Sequence, residues 1–451
     1  KGHYPDTGMT RLPGDKAARK LEEDAMSAQV TEERFESMFT VEREARARGR
    51  ILVDDPYPAF ERLRNAAGVH KGGLAELLGL PAEAPGHSYV AGRPMYSAFS
   101  FKAVNEAFLD NETFSSEIYL ETGVEDLFGD SILSMTGERH RRYRNVIQPQ
   151  FQPAMAASWW NSHFIVGAVE ALVSRIEDRG SADLIGDFFG RLPMYVVTTA
   201  FGLSPDQGVE FRNDIEASSA GDLVPPEQRA EAKQRYIRLL RGVIQERMRS
   251  PQDDVISKLA QAKLRTEDGA ERPFSEDEIL DHCRLIVFAG GGTTWRQLST
   301  TMYALLNHPE QLDAVRADRS LIPQVVLESA RWYPTDPLFP RGVTRDVKLD
   351  GMDLPAGAIL HLCLGAANRD PSRWQNPDRF DIFRPMQRSL AFGAGAHSCL
   401  GQHVSRQEMT VALNAVFDRL PNLRWDDSKP RPRLWGGLNQ RGPTGLPVVF
   451  G

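Results

Sequence analysis

Cys399 stands in the stretch SLAFGAGAHSCLGQ, residues 389 to 402, with Gly393 and Gly395 before it and Gly401 just after it. A buried structural cysteine behaves as a small hydrophobe and wants side chains around it, whereas glycines at this density let backbone come close to something large. The stretch reads as the seat of a ligand. Downstream, Leu400, Val404, Met409, Leu413, Val416 and Leu420 recur at helical spacing, which puts Cys399 at a helix N-terminus. Unpaired amides and the helix dipole there lower a thiol's pKa and favour thiolate. A thiolate in a glycine-rich pocket invites a metal.

Two further patterns carry charge at helical spacing. In GERHRRYRNVIQPQF, His140 and Arg144 lie one turn apart, and in IPQVVLESARWYP, Glu328 and Arg331 form an i,i+3 pair. Taken alone, the first is a solvated basic face and the second a surface pair worth about a few tenths of a kcal/mol.

The elements that must position these residues are mostly helices. The run FSEDEILDHCRLIVFAGGGTTWRQLSTTMYALLNHPEQ opens on a capping box, Ser275 with Glu278, and stays largely apolar until Pro309 stops it. Such a helix is long enough to cross the whole molecule. Its middle is unusual, because Gly290, Gly291 and Gly292 each cost about 1 kcal/mol relative to alanine. One reading is close helix packing; the other, favoured by three glycines in a row before Thr293 and Thr294, is a locally loosened helix against which a flat ligand lies. Strand signals cluster late, around Gly351 and Pro355-Ala356-Gly357 and in the closing GLPVVF. The fold class is mainly α with small β-sheets.

Composition narrows the function classes. The 451 residues are 41% hydrophobic and 25% charged, ordinary for a globular chain. No Gly/Ser linker, repeat or low-complexity tract divides them, so residues 1–50 are expected as a polar N-terminal extension and residues 51–451 as a single domain. No signal-peptide pattern and no run of about 18 apolar residues occurs, which predicts a cytoplasmic protein with no membrane span. Cys283, Cys363 and Cys399 are odd in number, far apart and in no C-x-x-C pattern, which argues against a disulfide framework, a zinc site or covalent c-type haem attachment. The net charge of -7 argues against nucleic acid as a partner.

The cysteine loop resembles the haem-binding loop of the cytochrome P-450 superfamily, F-G-x-G-x-H-x-C-x-G, with Phe392, Gly393, Gly395, His397, Cys399 and Gly401 filling every fixed position. Further motifs of that family occur in order. Glu328-Ser-Ala-Arg331 matches E-x-x-R, and the resemblance implies a buried structural lock with Arg379 of NPDRF near the thiolate side of the haem. His140 and Arg144 match H-x-x-x-R, with Phe151 at the family's spacing; by the resemblance they bind haem propionates together with Arg341 and His397. Ala289 to Thr293 match A-G-x-[D/E]-T except at Gly292, which stands where the family has an acid. The resemblance covers roughly residues 50 to 450.

It implies a single-domain cytochrome P-450 fold with a long central helix, and haem b held through Cys399, whose electron donation favours heterolysis of a bound O–O bond. The implied activity is monooxygenation, inserting one oxygen atom from O2 into a hydrophobic organic substrate by hydroxylation or oxidative dealkylation. The glycine at 292 keeps a rival open, a peroxide-driven or non-oxygenating haem-thiolate protein. No G-x-G-x-x-G fingerprint, flavin domain or iron–sulfur cysteine cluster occurs, so electrons are expected from a separate ferredoxin or flavodoxin with its NAD(P)H reductase. Arg139, Arg141, Arg142, Arg384, Arg388 and Arg406 are the basic residues offered for docking. By family analogy the pocket is lined from residues 114–133, Phe288 to Thr294, Leu338 to Pro340 and Trp435 to Leu438. With no acid at 292, proton delivery is expected through Thr293, its neighbour Thr294, and waters held on carbonyls that a loosened helix exposes.

Overall fold

In the computed structural model, residues 52–80, 90, 92–122, 125–219 and 224–451 are described. The expected extension, residues 1–50, lies outside the described residues. The helices that position the site are α1 (Gly137–Ile147), α2 (Leu192–Ala200), α3 (Glu276–Leu306), α4 (Ile322–Trp332) and α5 (Gln402–Arg419).

Helix α3 runs for 31 residues and starts where its sequence says it should. Ser275 Oγ accepts from the Glu278 N–H at 3.2 Å, and Glu278 Oε2 accepts from the Ser275 N–H at 2.7 Å, so the two residues satisfy each other's amides. The helix ends at Asn307, ahead of Pro309. The expected loosening at its centre is absent: α3 is continuous through Gly290, Gly291 and Gly292. Close packing explains one of the three glycines, Gly291, while Gly290 makes only an ordinary contact. A Cβ on Gly291 would lie 2.5 Å from Met194 Sδ, and one on Gly290 3.6 Å from Val197 Cγ2, both on α2. Bare backbone lets α2 approach, which offsets the helix-propensity cost.

The strands that bear on the site and its sheet are β1 (Val69–Lys71), β2 (Met95–Ala98), β3 (Phe114–Ser115), β4 (Phe339–Val343), β5 (Val347–Leu349), β6 (Met352–Leu354), β7 (Ile359–Leu362), β8 (Leu434–Trp435), β9 (Gly442–Pro443) and β10 (Pro447–Val449). Five of them form one sheet in the order β1-β2-β7-β4-β3, antiparallel except for the parallel pair β2 and β7. Its register sets Arg341 on β4 opposite Leu360 on β7. The β5–β6 hairpin turns at Asp350 and Gly351, whose φ values of 45° and 88° explain the glycine. Trp295, Leu298 and Met302 of α3 anchor the helical core, while Val69, Tyr96, Phe114 and Leu360 form a second core on the sheet.

Candidate functional site

The cysteine loop is shaped by its glycines. Gly393 and Gly395 have φ of 67° and 69°, and a Cβ on Gly395 would collide with the Phe108 carbonyl. The Cys399 N–H donates to the Phe392 carbonyl at 2.8 Å, closing the loop, and Gly401 is the N-cap of α5. Nothing in the protein lies within 4 Å of a Cβ built on Gly401, so that glycine keeps space open rather than fitting a neighbour. The thiol does not behave as the helix position alone predicts. Cys399 presents accessible surface to the cleft, yet it sits deep in the molecule, and burial pushes its pKa up. The Gly401 and Gln402 amides and the Arg144 guanidinium pull the other way without prevailing.

Helix α1 brings His140 and Arg144 to this loop. The His140 and His397 rings meet at 4.1 Å between centroids, tilted by 33°, and Nε2 of each is buried without a hydrogen-bond partner. Burial lowers the His140 pKa to about 4, with Arg144 adding to the effect. For His397 burial, then His140, Arg341 and Arg144, lower it to about 2. Arg144 donates from Nε to Gln148 Oε1 at 2.9 Å and from Nη2 to the Ser398 carbonyl at 2.8 Å. Arg341 is buried on β4, donates from Nη1 to the Pro340 carbonyl at 2.8 Å, and lies over the Phe108 ring. Among the described residues no carboxylate pairs with either guanidinium.

Helix α3 shows an accessible band in its middle. Residues 282–287 are buried and so are 294–302, whereas 288–293 are partly or fully exposed. An exposed band in the middle of a helix buried on both sides faces a cleft. Thr293 and Gly292 lie in that band, and Thr294 is buried next to it. Two carbonyls of this turn are taken by side chains. Thr293 Oγ1 donates to the Ala289 carbonyl at 2.8 Å, and Arg296 Nη1 donates to the Gly292 carbonyl at 2.7 Å.

The ion cluster behind the loop also differs in one member. Arg331 Nε and Nη2 each donate to a Glu328 carboxylate oxygen at 2.7 Å, both residues buried. The third charged partner is Arg384, whose Nε reaches Glu328 Oε1 at 3.3 Å, and not Arg379. Arg379 is exposed and contributes only its carbonyl, which accepts from Arg331 Nη2. Arg384 folds back across the same turn and therefore belongs to the fold. Arg139, Arg141 and Arg142 are also engaged, with Asp130, Glu138 and Glu267. That leaves Arg388 and Arg406, which line a cavity of about 490 Å³ beside the cysteine loop with Phe392, Gly393 and Ser398; Cys399 does not line it.

Three residues with long-range contacts carry no motif and were invisible in the sequence: Arg296, Gln440 and Arg441. Arg441 is fully buried and donates to Tyr333 Oη at 2.7 Å and to the Gly436 and Gly437 carbonyls at 3.0 and 2.8 Å. It fixes the β8–β9 hairpin against the segment after α4.

A mainly helical fold with a 31-residue helix and a cysteine in a glycine-shaped loop is matched by known proteins. The Cytochrome P450 family model matches residues 222–437. Cyclomarin C epoxidase CymV of Salinispora arenicola (strain CNS-205) is 32% identical over 340 residues, 73% of this chain and 84% of that protein. C-19 steroid 1alpha-hydroxylase of Sorangium cellulosum (strain So ce56) is 30% identical over 355 residues, 77% of this chain and 88% of that protein. Among solved structures, cytochrome P450 CYP109Q5 from Chondromyces apiculatus matches with a TM-score of 0.74 at 26% identity, over 88% of this chain and 95% of that one. The chain belongs to the cytochrome P450 family. It is a haem-thiolate monooxygenase that binds haem b. No helix among the described residues is long and apolar enough to cross a membrane.

Proposed function

We propose that Cys399 is the thiolate ligand of the haem iron, that His140, Arg144, Arg341 and His397 hold the two propionates, and that Phe392, Gly393 and Gly401 shape the loop beneath the porphyrin. Gly292, Thr293 and Thr294 form the oxygen-side wall, and residues 51–451 act as one catalytic domain. The observation that carries this reading is the imidazole pair. Two buried Nε2 atoms lack partners, beside two buried guanidiniums that reach no carboxylate among the described residues. Buried polar groups without partners cost about 1–3 kcal/mol each, and two carboxylates carried in by a ligand remove that cost.

When bound, the haem supplies O2 binding and O–O cleavage. The chain's own residues do the rest. The Gly401 and Gln402 amides favour negative charge on Cys399 Sγ. Thr293, tied to the Ala289 carbonyl, keeps a hydroxyl in the accessible band where a proton-carrying water can meet it. Phe288, partly exposed in the band of α3, gives the cleft an apolar wall that excludes bulk water. The electron donor is a ferredoxin or flavodoxin served by an NAD(P)H reductase in the cytoplasm. Arg388 and Arg406, beside the cysteine loop and in no ion pair among the described residues, support an acidic partner there. The names of the relatives, a cyclomarin C epoxidase and a C-19 steroid hydroxylase, support a bulky hydrophobic substrate.

The test is the ferrous carbon monoxide spectrum. Wild type is expected to show the red-shifted Soret band of thiolate ligation and Cys399→Ser to lose it; a variant that kept the band would overturn the ligand assignment. A peroxide-driven reading is favoured by the missing acid at Gly292. Product formed with a ferredoxin, its reductase and NAD(P)H, compared with product formed with peroxide alone, separates the two.

A further inference from the structure

The segment between α4 and β4 carries a carboxylate that no motif accounts for. Asp336 is partly exposed, while Tyr333, Pro334 and Thr335 before it and Pro337 and Leu338 after it are buried. Its mounting is rigid. The Thr335 N–H and hydroxyl both donate to Gln297 Oε1 of α3, at 3.2 and 3.3 Å, and the Thr335 and Leu338 carbonyls accept from the Arg441 N–H at 2.7 Å and from Asn439 Nδ2 at 2.9 Å. Asp336 Oδ1 accepts from the Gln440 N–H at 2.7 Å, and the side-chain amide of Gln440 lies 3.8 Å from a Cβ built on Gly292. The Asp336 charge also adds to the burial that raises the pKa values of Cys399 and Tyr119. A carboxylate felt at Cys399 and bonded to the residue alongside Gly292 stands at the cleft between them.

We propose that Asp336 is a specificity-determining residue that selects hydrophobic substrates carrying a protonated or quaternary nitrogen, its carboxylate receiving that nitrogen while the apolar body lies along the accessible band of α3. The inference deepens the haem-site reading above and rests on it. The band, Phe288 to Thr293, has no ionisable side chain of its own, so it offers the body of a ligand apolar contact only. A carboxylate has about four acceptor sites, and the Gln440 N–H takes one of them. Among the described residues no cation pairs with Asp336. When a ligand closes the cleft and removes water from this carboxylate, a neutral molecule leaves the charge uncompensated, whereas a cation pairs with it.

Titration calorimetry of the haem-loaded protein with decyltrimethylammonium, decanol and decanoate, each below its micellar concentration, tests this. The quaternary nitrogen has no lone pair for iron, so its binding reports the pocket alone. Wild type is expected to bind the cation about 10- to 100-fold more tightly than the alcohol, the range of a hydrogen-bonded or paired charge, and to bind decanoate weakest. Asp336→Asn keeps an oxygen for the Gln440 N–H and is expected to bring the cation down to the level of decanol without changing decanol itself, while Asp336→Glu retains a preference for the cation. The order of the three ligands on wild type decides the matter if Asp336→Asn does not fold. Equal binding of cation and alcohol to wild type, or an Asp336→Asn variant that weakens both alike, would leave Asp336 a tie to Gln440 only and overturn the inference. A wild-type carbon monoxide complex without the thiolate Soret band would instead overturn the haem-site reading.

Discussion

Arg144 Nη2 donates to the carbonyl of Ser398 at 2.8 Å, so the helix that carries His140 is bonded to the residue preceding Cys399. One guanidinium therefore sets the distance between the histidine of α1 and the cysteine loop. Arg144→Ala is expected to speed haem transfer to an acceptor apoprotein about 10- to 100-fold, the equivalent of about 1.5–3 kcal/mol for a hydrogen bond to a charged group. Arg144→Lys keeps the charge but not the fork, and should restore only part of the retention. Transfer rates equal to wild type in both variants would show that the tether is not used.

The ion cluster makes a contrasting pair of claims. Glu328→Ala strands the Arg331 and Arg384 guanidiniums and is expected to cost about 3–5 kcal/mol in denaturant unfolding. Arg379→Ala should stay within about 0.5 kcal/mol of wild type, because that side chain is exposed. A loss at Arg379 as large as at Arg384 would reinstate the sequence-based triad.

The adjacent glycines of α3 should respond with opposite signs. Gly290→Ala meets Val197 at an ordinary 3.6 Å and should stabilise the helix by up to about 1 kcal/mol. Gly291→Ala drives a methyl against Met194 Sδ and should be destabilised by about 1–3 kcal/mol, with Met194→Ala relieving the crowding in the double variant. Equal melting temperatures for the two single variants would contradict the close-packing account.

Glu408 on α5 supplies a pH dependence. It is buried, its Oε2 has no partner, and burial raises its pKa from the ordinary 4.5 to about 8. Between those values the folded protein holds a proton that the unfolded chain has lost, so stability is full below pH 4.5 and falls as pH rises toward 8. Glu408→Gln is expected to match wild type near pH 4.5 and to melt higher near pH 8, as read by thermal unfolding across that range. A constant difference at all pH values would mean that the carboxyl is not the titrating group.

Local rules made much of this fold legible. The capping box at Ser275 and Glu278, the stop before Pro309 and the helix after Cys399 depend on neighbours in sequence, and the structure shows each of them. What stayed hidden depends on contacts across the chain. The three glycines of α3 fit either a loosened or a tightly packed helix, and only Met194 on α2 decides between them. Arg379 and Arg384 look alike in sequence; which one folds back on Glu328 is set by the path of the chain between them. The Cys399 thiol illustrates competing effects, since helix-end amides pull its pKa down while depth, which no spacing reveals, pushes it up. Gln440 comes to the side of Gly292 only because the C-terminal hairpin returns to α3.

The five-stranded sheet carries a consequence for synthesis. Its parallel seam joins β2 to β7, and at its edge Arg93 Nε donates to the Gly357 carbonyl, 264 residues further along the chain. At about 5–20 residues per second a ribosome leaves β2 without that partner for tens of seconds. Throughout that interval the antiparallel pair β1 and β2 offers an unpaired strand edge, which is a template for association with other chains. The yield of folded protein is therefore governed by how quickly translation delivers β7, and slowing the ribosome between the two strands should divert chains into aggregates even though the finished protein buries the edge completely.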